Sequence, residues 1–262
     1  MTYLFFDIEC ANSFGGIGKM CSFGYVLCNC IQNGDNVFDF SIIEMADILM
    51  NPNAPFDWYL FKKGSKCQLT YSRTKYQQQA KFPHFYSKIS SLLSAEDRLV
   101  FGFGCKNDVA TIVNECTRYD LPQIEFSCYD IHTICEKFYK MQGGLSTFVK
   151  KLRINTQGME FHDSRADAYF TMKVAEKFAK DAKLPLADTL KPYTPYTNKN
   201  VLQEQIKKFF KKWLERNTAE NGENEKVNLT SKKIIVPEQF DWKQEFLQQI
   251  TLGNEKNQTF SK

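Results

Sequence analysis

Seven residues near the start, Tyr3-Leu4-Phe5-Phe6-Asp7-Ile8-Glu9, constrain this chain more than any other stretch. Four apolar residues in a row predict a buried strand, which then delivers two carboxylates two positions apart. Side chains alternate across a strand, so Asp7 and Glu9 share one face and Ile8 takes the other. Carboxylates are rarely buried without a partner. Two side by side repel unless a cation sits between them, and hard divalent cations such as Mg²⁺ take oxygen ligands of this kind. The alternative is that the strand simply ends here and both acids are solvated.

The 262 residues, 43% hydrophobic and 15% aromatic, can build one large domain or a domain with an appendage. No apolar run approaches the roughly 18 residues that would cross a membrane. The chain opens directly into a strand with no basic leader, so a secretory signal is not expected. Nine cysteines, an odd number with no CxxC spacing, fit reduced thiols and a cytoplasmic location better than a disulfide framework. Cys28 and Cys30 lack the second pair that a zinc site needs. Residues 1–190 hold 21 basic and 21 acidic side chains, whereas 191–262 hold 13 and 9. The net charge of +4 therefore lies wholly in the C-terminal part, where it suits a polyanion or ordinary solubility.

Beyond the first strand, 11–18 reads as a loop of small residues whose glycines follow neither GxGxxG nor a P-loop. Strands are predicted over 22–30 and 37–44, joined by a turn at Asn33-Gly34-Asp35. An irregular loop over 51–64 follows, then a helix over 74–93 broken near Pro83. A glycine-bearing strand over 99–104 leads to a helix over 108–119. Next come a strand over 124–128, a helix over 130–139 capped by Asp130, a short helix over 145–152 and a long one over 164–180. A hairpin-built edge followed by strand–helix alternation argues a mixed α/β sheet flanked by helices. Residues 1–183 form this unit, 184–200 read as a connector, and 201–262 as a basic, mostly helical appendage. In that appendage Leu202, Ile206, Phe209 and Trp213 form one stripe, with Lys207, Lys208, Lys211 and Lys212 around it. A short strand over 232–236 and a last helix over 240–250 complete the reading.

Asp7 and Glu9 need further acids if they hold metal. Asp108 begins a helix directly after a buried strand, where α/β sheets place their sites and the positive helix end favours a carboxylate; the alternative is an acid that only favours the helix N-terminus, beside Asn107 as cap. Asp167 lies early in the 164–180 helix between Ala166 and Ala168, small neighbours that let the helix approach the sheet. His162, one of three histidines, stands five residues earlier in the entry loop, free to swing toward a metal pair. Imidazole titrates near neutral pH, which suits it to take a proton from water. Asp163, directly before the helix, reads as its N-cap. His84 and His132 read as structural or surface residues.

Asp7-x-Glu9 after an apolar strand, Asp108 after Gly102-Phe103-Gly104-Cys105-Lys106-Asn107, and His162-x4-Asp167-Ala168 stand in the order and rough spacing of the DEDDh 3′–5′ exonucleases. Over residues 1–183 the chain thus resembles these DnaQ-like enzymes of the ribonuclease H-like superfamily. Leu145-Ser146-x-Phe148-x3-Leu152 is similar to the helix before the family's last motif. The departures are Cys10-Ala11-Asn12, where the family often has threonines or serines and a glycine, and Phe103-Gly104, where it often has His-Asn. The resemblance implies two divalent cations, Mg²⁺ with Mn²⁺ as substitute, on Asp7, Glu9, Asp108 and Asp167, with His162 as general base. It implies release of nucleoside 5′-monophosphates from single-stranded or frayed 3′ ends, DNA favoured. A ribonuclease or oligoribonuclease of the same chemistry and a catalytically silent nucleic-acid-binding module are the alternatives. Cys10, Ala11, Asn12, Phe14 and Phe103 are expected against the terminal nucleotide, with the two phenylalanines placed either for stacking or in the core. The lysine stripe serves either the nucleic-acid backbone or only solvent, and whether the appendage recruits a polymerase or another protein partner is left open by the sequence.

Overall fold

The computed structural model describes residues 1–32, 38–220 and 236–259. Its sheet has six strands: β1 (Thr2–Cys10), β2 (Met20–Gln32), β3 (Phe38–Leu49), β4 (Arg98–Gly102), β5 (Ser127–Asp130) and β6 (Tyr196–Thr197). They lie in the order β3-β2-β1-β4-β5-β6, antiparallel at both margins and parallel across β1, β4 and β5. The helices are α1 (Arg73–Gln77), α2 (Phe82–Leu93), α3 (Lys106–Arg118), α4 (Ile131–Tyr139), α5 (Leu145–Lys151), α6 (Ser164–Ala182), α7 (Asn198–Glu220) and α8 (Trp242–Thr259). None of the described helices is long and apolar enough to cross a membrane.

Period-two alternation along β1 divides the core. Tyr3 and Phe5 pack with Phe101, Phe148 and the buried face of α6, and Phe5 stacks on Phe101 at 5.0 Å. Leu4, Phe6 and Ile8 face the other way, onto Val109, Ile112 and Cys116 of α3 and Ile89 of α2. Asp7 and Glu9 continue the Tyr3–Phe5 series, so the strand itself carries both carboxylates to the α6 side. Parallel β1 and β4 end at the same margin, and α3 begins there.

Several elements differ from the expectations. The helix expected over 74–93 is two helices whose break precedes Pro83; the proline sits in the first turn of α2, where its missing N–H costs nothing. The strand expected over 124–128 forms at Ser127–Asp130, because only there does the chain pair with β4; Ile124 and Phe126 are buried ahead of it. Residues 184–200 pack onto the domain. Leu186 and Leu190 enter the α6-side core, and Tyr196–Thr197 add the sixth strand beside β5. The turn at 33–35 and most of the strand expected over 232–236 lie outside the described residues.

Helix α7 docks on α3. Gln205 donates to Asn114 Oδ1 at 3.1 Å, and Lys106 pairs with Glu204 at 2.7 Å. Its buried positions among the described residues are Asn198, Val201, Phe209 and Phe210, while Trp213 is 40% exposed, so the face that docks is turned about one residue from the predicted stripe.

Candidate active site

Four segments bring side chains to the margin where β1 and β4 end. β1 supplies Asp7 and Glu9, registered opposite Gly24 and Ser22 of β2. Helix α3, starting four residues after β4, supplies Asp108 in its first turn; Cys105 stands at its N-cap position without a side-chain cap, not Asn107. Helix α6 supplies Asp167, and its start is set by Asp163, whose carboxylate accepts the N–H of Ala166 at 3.1 Å. The loop entering α6 supplies His162 in the left-handed region at φ 65°. Its N–H donates to Asp167 Oδ2 at 3.0 Å, and its carbonyl accepts from Thr70 Oγ1 at 3.4 Å.

The approach of α6 to the sheet depends on one residue that has no side chain. A Cβ on Gly24 would fall 2.0 Å from the backbone carbon of Ser164 and 2.1 Å from the backbone nitrogen of Arg165. Only glycine lets the helix start lie flat on β2, directly across from Asp7. The contact is reinforced by Ser22, whose hydroxyl hydrogen-bonds with Ser164 and donates to Asp47 Oδ1.

Single ligand atoms of Glu9, His162 and Asp167 lie within 4.8 Å of one another. Asp7 and Asp167 share a cleft of about 480 Å³ with Phe103, His132, Glu136 and the Gly143–Gly144 backbone. The electrostatics ties in the rest. Burial, and then the charges of Asp108, Asp167 and Glu9, raise the Asp7 carboxyl well above the usual range. Glu9 is pushed up to about 8 by burial and then by Asp167, Asp108, Asp163 and Asp47. Burial raises Asp108 to about 7, with Asp130 adding, and burial raises Asp167 to about 7 against the opposing His162 N–H bond. Burial lowers the His162 pKa, which favours neutral imidazole. The donor set fits hard divalent cations: all the acidic groups offer oxygen, burial and neighbouring charge raise their affinity for protons or cations, and Asp167 Oδ1 is buried without a hydrogen-bond partner among the described residues.

The expected nucleotide contacts divide. Phe103 lines the cleft, stacked on His132 at 4.8 Å and edge-on to Phe148 at 5.4 Å. Its loop is held by Gly104, whose N–H donates to Asp130 Oδ1 at 2.8 Å. Cys10, Ala11, Asn12 and Phe14 do not line this cleft. Ala11 is fully buried in a small cluster with Phe56, Leu60 and Tyr76. The Asn12 amide donates to the Pro55 carbonyl at 2.5 Å, and its Oδ1 accepts the Phe14 N–H at 3.3 Å. The Cys10 thiol lies 3.7 Å from Thr111 Oγ1, its pKa pushed up to about 12 by burial. Phe14 sits half-buried in a tight turn, with the Lys19 ammonium 5.9 Å from its ring centre. Sequence reasoning left His132 outside the site and read no role for Glu136 or the Gly143-Gly144 pair. Their positions in the cleft depend on packing of α4 and α5 that no local pattern announces.

No protein-family model matches the sequence, and no curated protein matches it. Solved structures do match. The nuclease domain of 3′hExo, a DEDDh family member, bound to rAMP, superposes with TM-score 0.56 at 16% identity, covering 70% of this chain and 94% of that one. A 3′-exonuclease in a structure of 3′-end-specific recognition of a histone mRNA stem-loop gives 0.54 at 14% identity, with 69% of this chain matching 64% of that one. S. pombe Pop2p in its Mg²⁺- and Mn²⁺-bound form gives 0.52 at 15% identity, covering 67% and 82%. At these identities the likeness is one of fold, and the chain spans under two thirds of the stem-loop-recognising exonuclease. The mixed sheet and its flanking helices thus give this chain the fold of these solved structures, among them the nuclease domain of a DEDDh family member.

Proposed function

We propose that this chain is a metal-dependent 3′–5′ exonuclease that releases nucleoside 5′-monophosphates from single-stranded or frayed 3′ ends, DNA favoured. The observation that carries the reading is the convergence of Glu9, Asp167 and His162 within one ligand sphere beside Asp7, on a site whose acids raise one another's pKa. Asp7, Glu9, Asp108 and Asp167 would hold two Mg²⁺ or Mn²⁺ ions. Such ions supply Lewis acidity, activating water and stabilising charge on the leaving oxygen. Around them the protein's own groups orient and move protons. The Asp167–His162 backbone bond fixes the loop, and the half-buried imidazole, neutral at pH 7, accepts the proton of the attacking water. Phe103, braced by His132 and Phe148, offers a ring face to the terminal base; such stacking contributes about 1–3 kcal/mol and tolerates any base. Nine unbridged cysteines, most of them buried, support a reducing, cytoplasmic setting.

A ribonuclease of the same chemistry is the second reading, favoured by two structural neighbours described with a histone mRNA stem-loop and with rAMP. A digestion panel of single- and double-stranded DNA, single-stranded RNA and dinucleotides, with Mg²⁺ or EDTA, tests both. The expected result is Mg²⁺-dependent mononucleotide release, fastest on single-stranded DNA. Equal product with EDTA, or internal cuts, overturns the exonuclease reading; RNA cut faster than DNA selects the second.

A further inference from the structure

The segment between β3 and α1 is fastened to the candidate active site at both ends. At one end the Asp57 N–H donates at 2.9 Å to the carbonyl of Ala11, which follows closely on Glu9. At the other, Thr70 Oγ1 donates to the His162 carbonyl at 3.4 Å. Between these ties the chain folds over a small core, with Phe56, Leu60, Leu69 and Tyr76 buried against Ala11 and Cys21. The Leu69 N–H closes the loop on the Leu60 carbonyl at 2.8 Å. One 3-10 turn, Trp58–Phe61, points Leu60 inward and leaves Trp58 and Tyr59 outside, 71% and 40% exposed. An indole is among the largest apolar surfaces a side chain offers, so holding it in water forgoes burial that the fold could use.

The charge around these rings is one-sided. Residues 56–75 carry five basic side chains and one acidic. The acid, Asp57, accepts from the Tyr59 hydroxyl at 3.0 Å. Arg73 lies over the Phe61 ring at 5.1 Å. The Lys62 ammonium lies 5.4 Å from the Trp58 ring centre. Lys62, Lys63 and Lys66 are exposed and have no ion-pair partner among the described residues. An exposed indole with ammonium groups beside it matches the two repeating parts of a single strand, because bases stack on aromatic faces and phosphates meet cations. The ties to Ala11 and His162 set this surface next to the acids, which themselves repel phosphate.

We propose that Trp58, Lys62, Lys63 and Lys66 form a platform for single-stranded nucleic acid beside the site, the indole stacking one base and the ammonium groups meeting the phosphates next to it. This rests on the exonuclease reading for its substrate but is read out by binding. The probes are end-labelled dT20 and an abasic deoxyribose-phosphate strand of the same length, bound by the full chain in EDTA over a range of salt. Trp58→Ala is expected to weaken dT20 binding by about 5- to 150-fold, the range for one stacked base, and to leave the abasic strand unchanged. Trp58→Phe should restore most of the dT20 affinity, and dT20 should quench less tryptophan emission in that variant than in the wild-type chain. K62A/K63A/K66A should weaken both probes and make the salt dependence shallower, by about 0.7 in log–log slope for each lysine that meets a phosphate. Unchanged dT20 affinity in Trp58→Ala, an equal loss on both probes, or an unchanged slope in K62A/K63A/K66A overturns the platform. A wild-type chain that binds dT20 through Trp58 yet leaves it intact in Mg²⁺ supports the platform and removes the nuclease reading instead.

Discussion

Six carboxylates, those of Asp7, Glu9, Asp47, Asp108, Asp163 and Asp167, crowd one end of the sheet, and a row of lysines crosses α7 on the far side of the loop that leaves it. Both regions gather like charge, yet they do so in opposite ways. The acids are half-buried to buried, and burial followed by neighbouring charges raises the pKa values of Asp7 and Glu9, so those ionised forms oppose folding until a cation arrives. Lys207 and Lys208 are exposed and cost the fold little. The lesson is that acids crowded out of water carry an electrostatic cost that solvated charge does not. Substitutions in the first region should therefore separate activity from stability.

The largest effect is expected from Asp7→Asn or Asp167→Asn. Each should abolish Mg²⁺-dependent digestion while the thermal midpoint in EDTA stays level or rises, because one repelling charge is gone. Near-normal digestion by either variant removes the metal assignment. His162→Ala follows at about 10²–10⁴-fold in kcat, the range for loss of a general base, with Mg²⁺ binding by calorimetry preserved. Gly24→Ala sharpens the contrast from beneath. A Cβ 2.0 Å from the Ser164 backbone must push α6 off β2, at about 1–3 kcal/mol or more of stability, and it displaces Asp167 from Asp7. Denaturant melts and Mg²⁺ titration should both report it, and a variant with wild-type values for both would show the close approach to be unimportant.

The pH dependence of the metal-free protein is smaller but has a definite sign. Glu9, Asp108 and Asp167 have folded pKa values near 8, 7 and 7 against ordinary values of 4.5, 3.8 and 3.8. Raised carboxyl pKa values stabilise the fold while the groups are protonated, and that contribution is lost as pH rises from about 4 through about 8. In EDTA the thermal midpoint should fall across this window, Mg²⁺ should restore it at pH 8, and Asp167→Asn should flatten the slope. A flat profile for the wild type would mean that the acids do not burden one another.

Much of the site was legible locally. Alternation along Tyr3–Glu9 puts two acids on one face whatever the rest of the chain does, and Asp163 and Asp130 announce their helix starts by residue type alone. The buried Ala11 and Asn12 show the limit. A small residue and an amide after a strand read as loop surface, and only the neighbouring 55–61 segment turns them inward. Tyr196–Thr197 likewise look like linker until β5 offers an open edge.

By itself the sequence determined which residues can ligate, cap and fill the two faces of β1, because those properties follow from side-chain chemistry and from the period of the backbone. Only the tertiary structure decided that α6 lies close enough for Asp167 to reach the β1 acids, that His132 braces Phe103 at the cleft, and that α7 lays Lys208 over Gly16. These are contacts between segments distant in sequence. They exist only where packing of complementary surfaces, such as a missing Cβ at Gly24 under a helix end, fixes one segment against another.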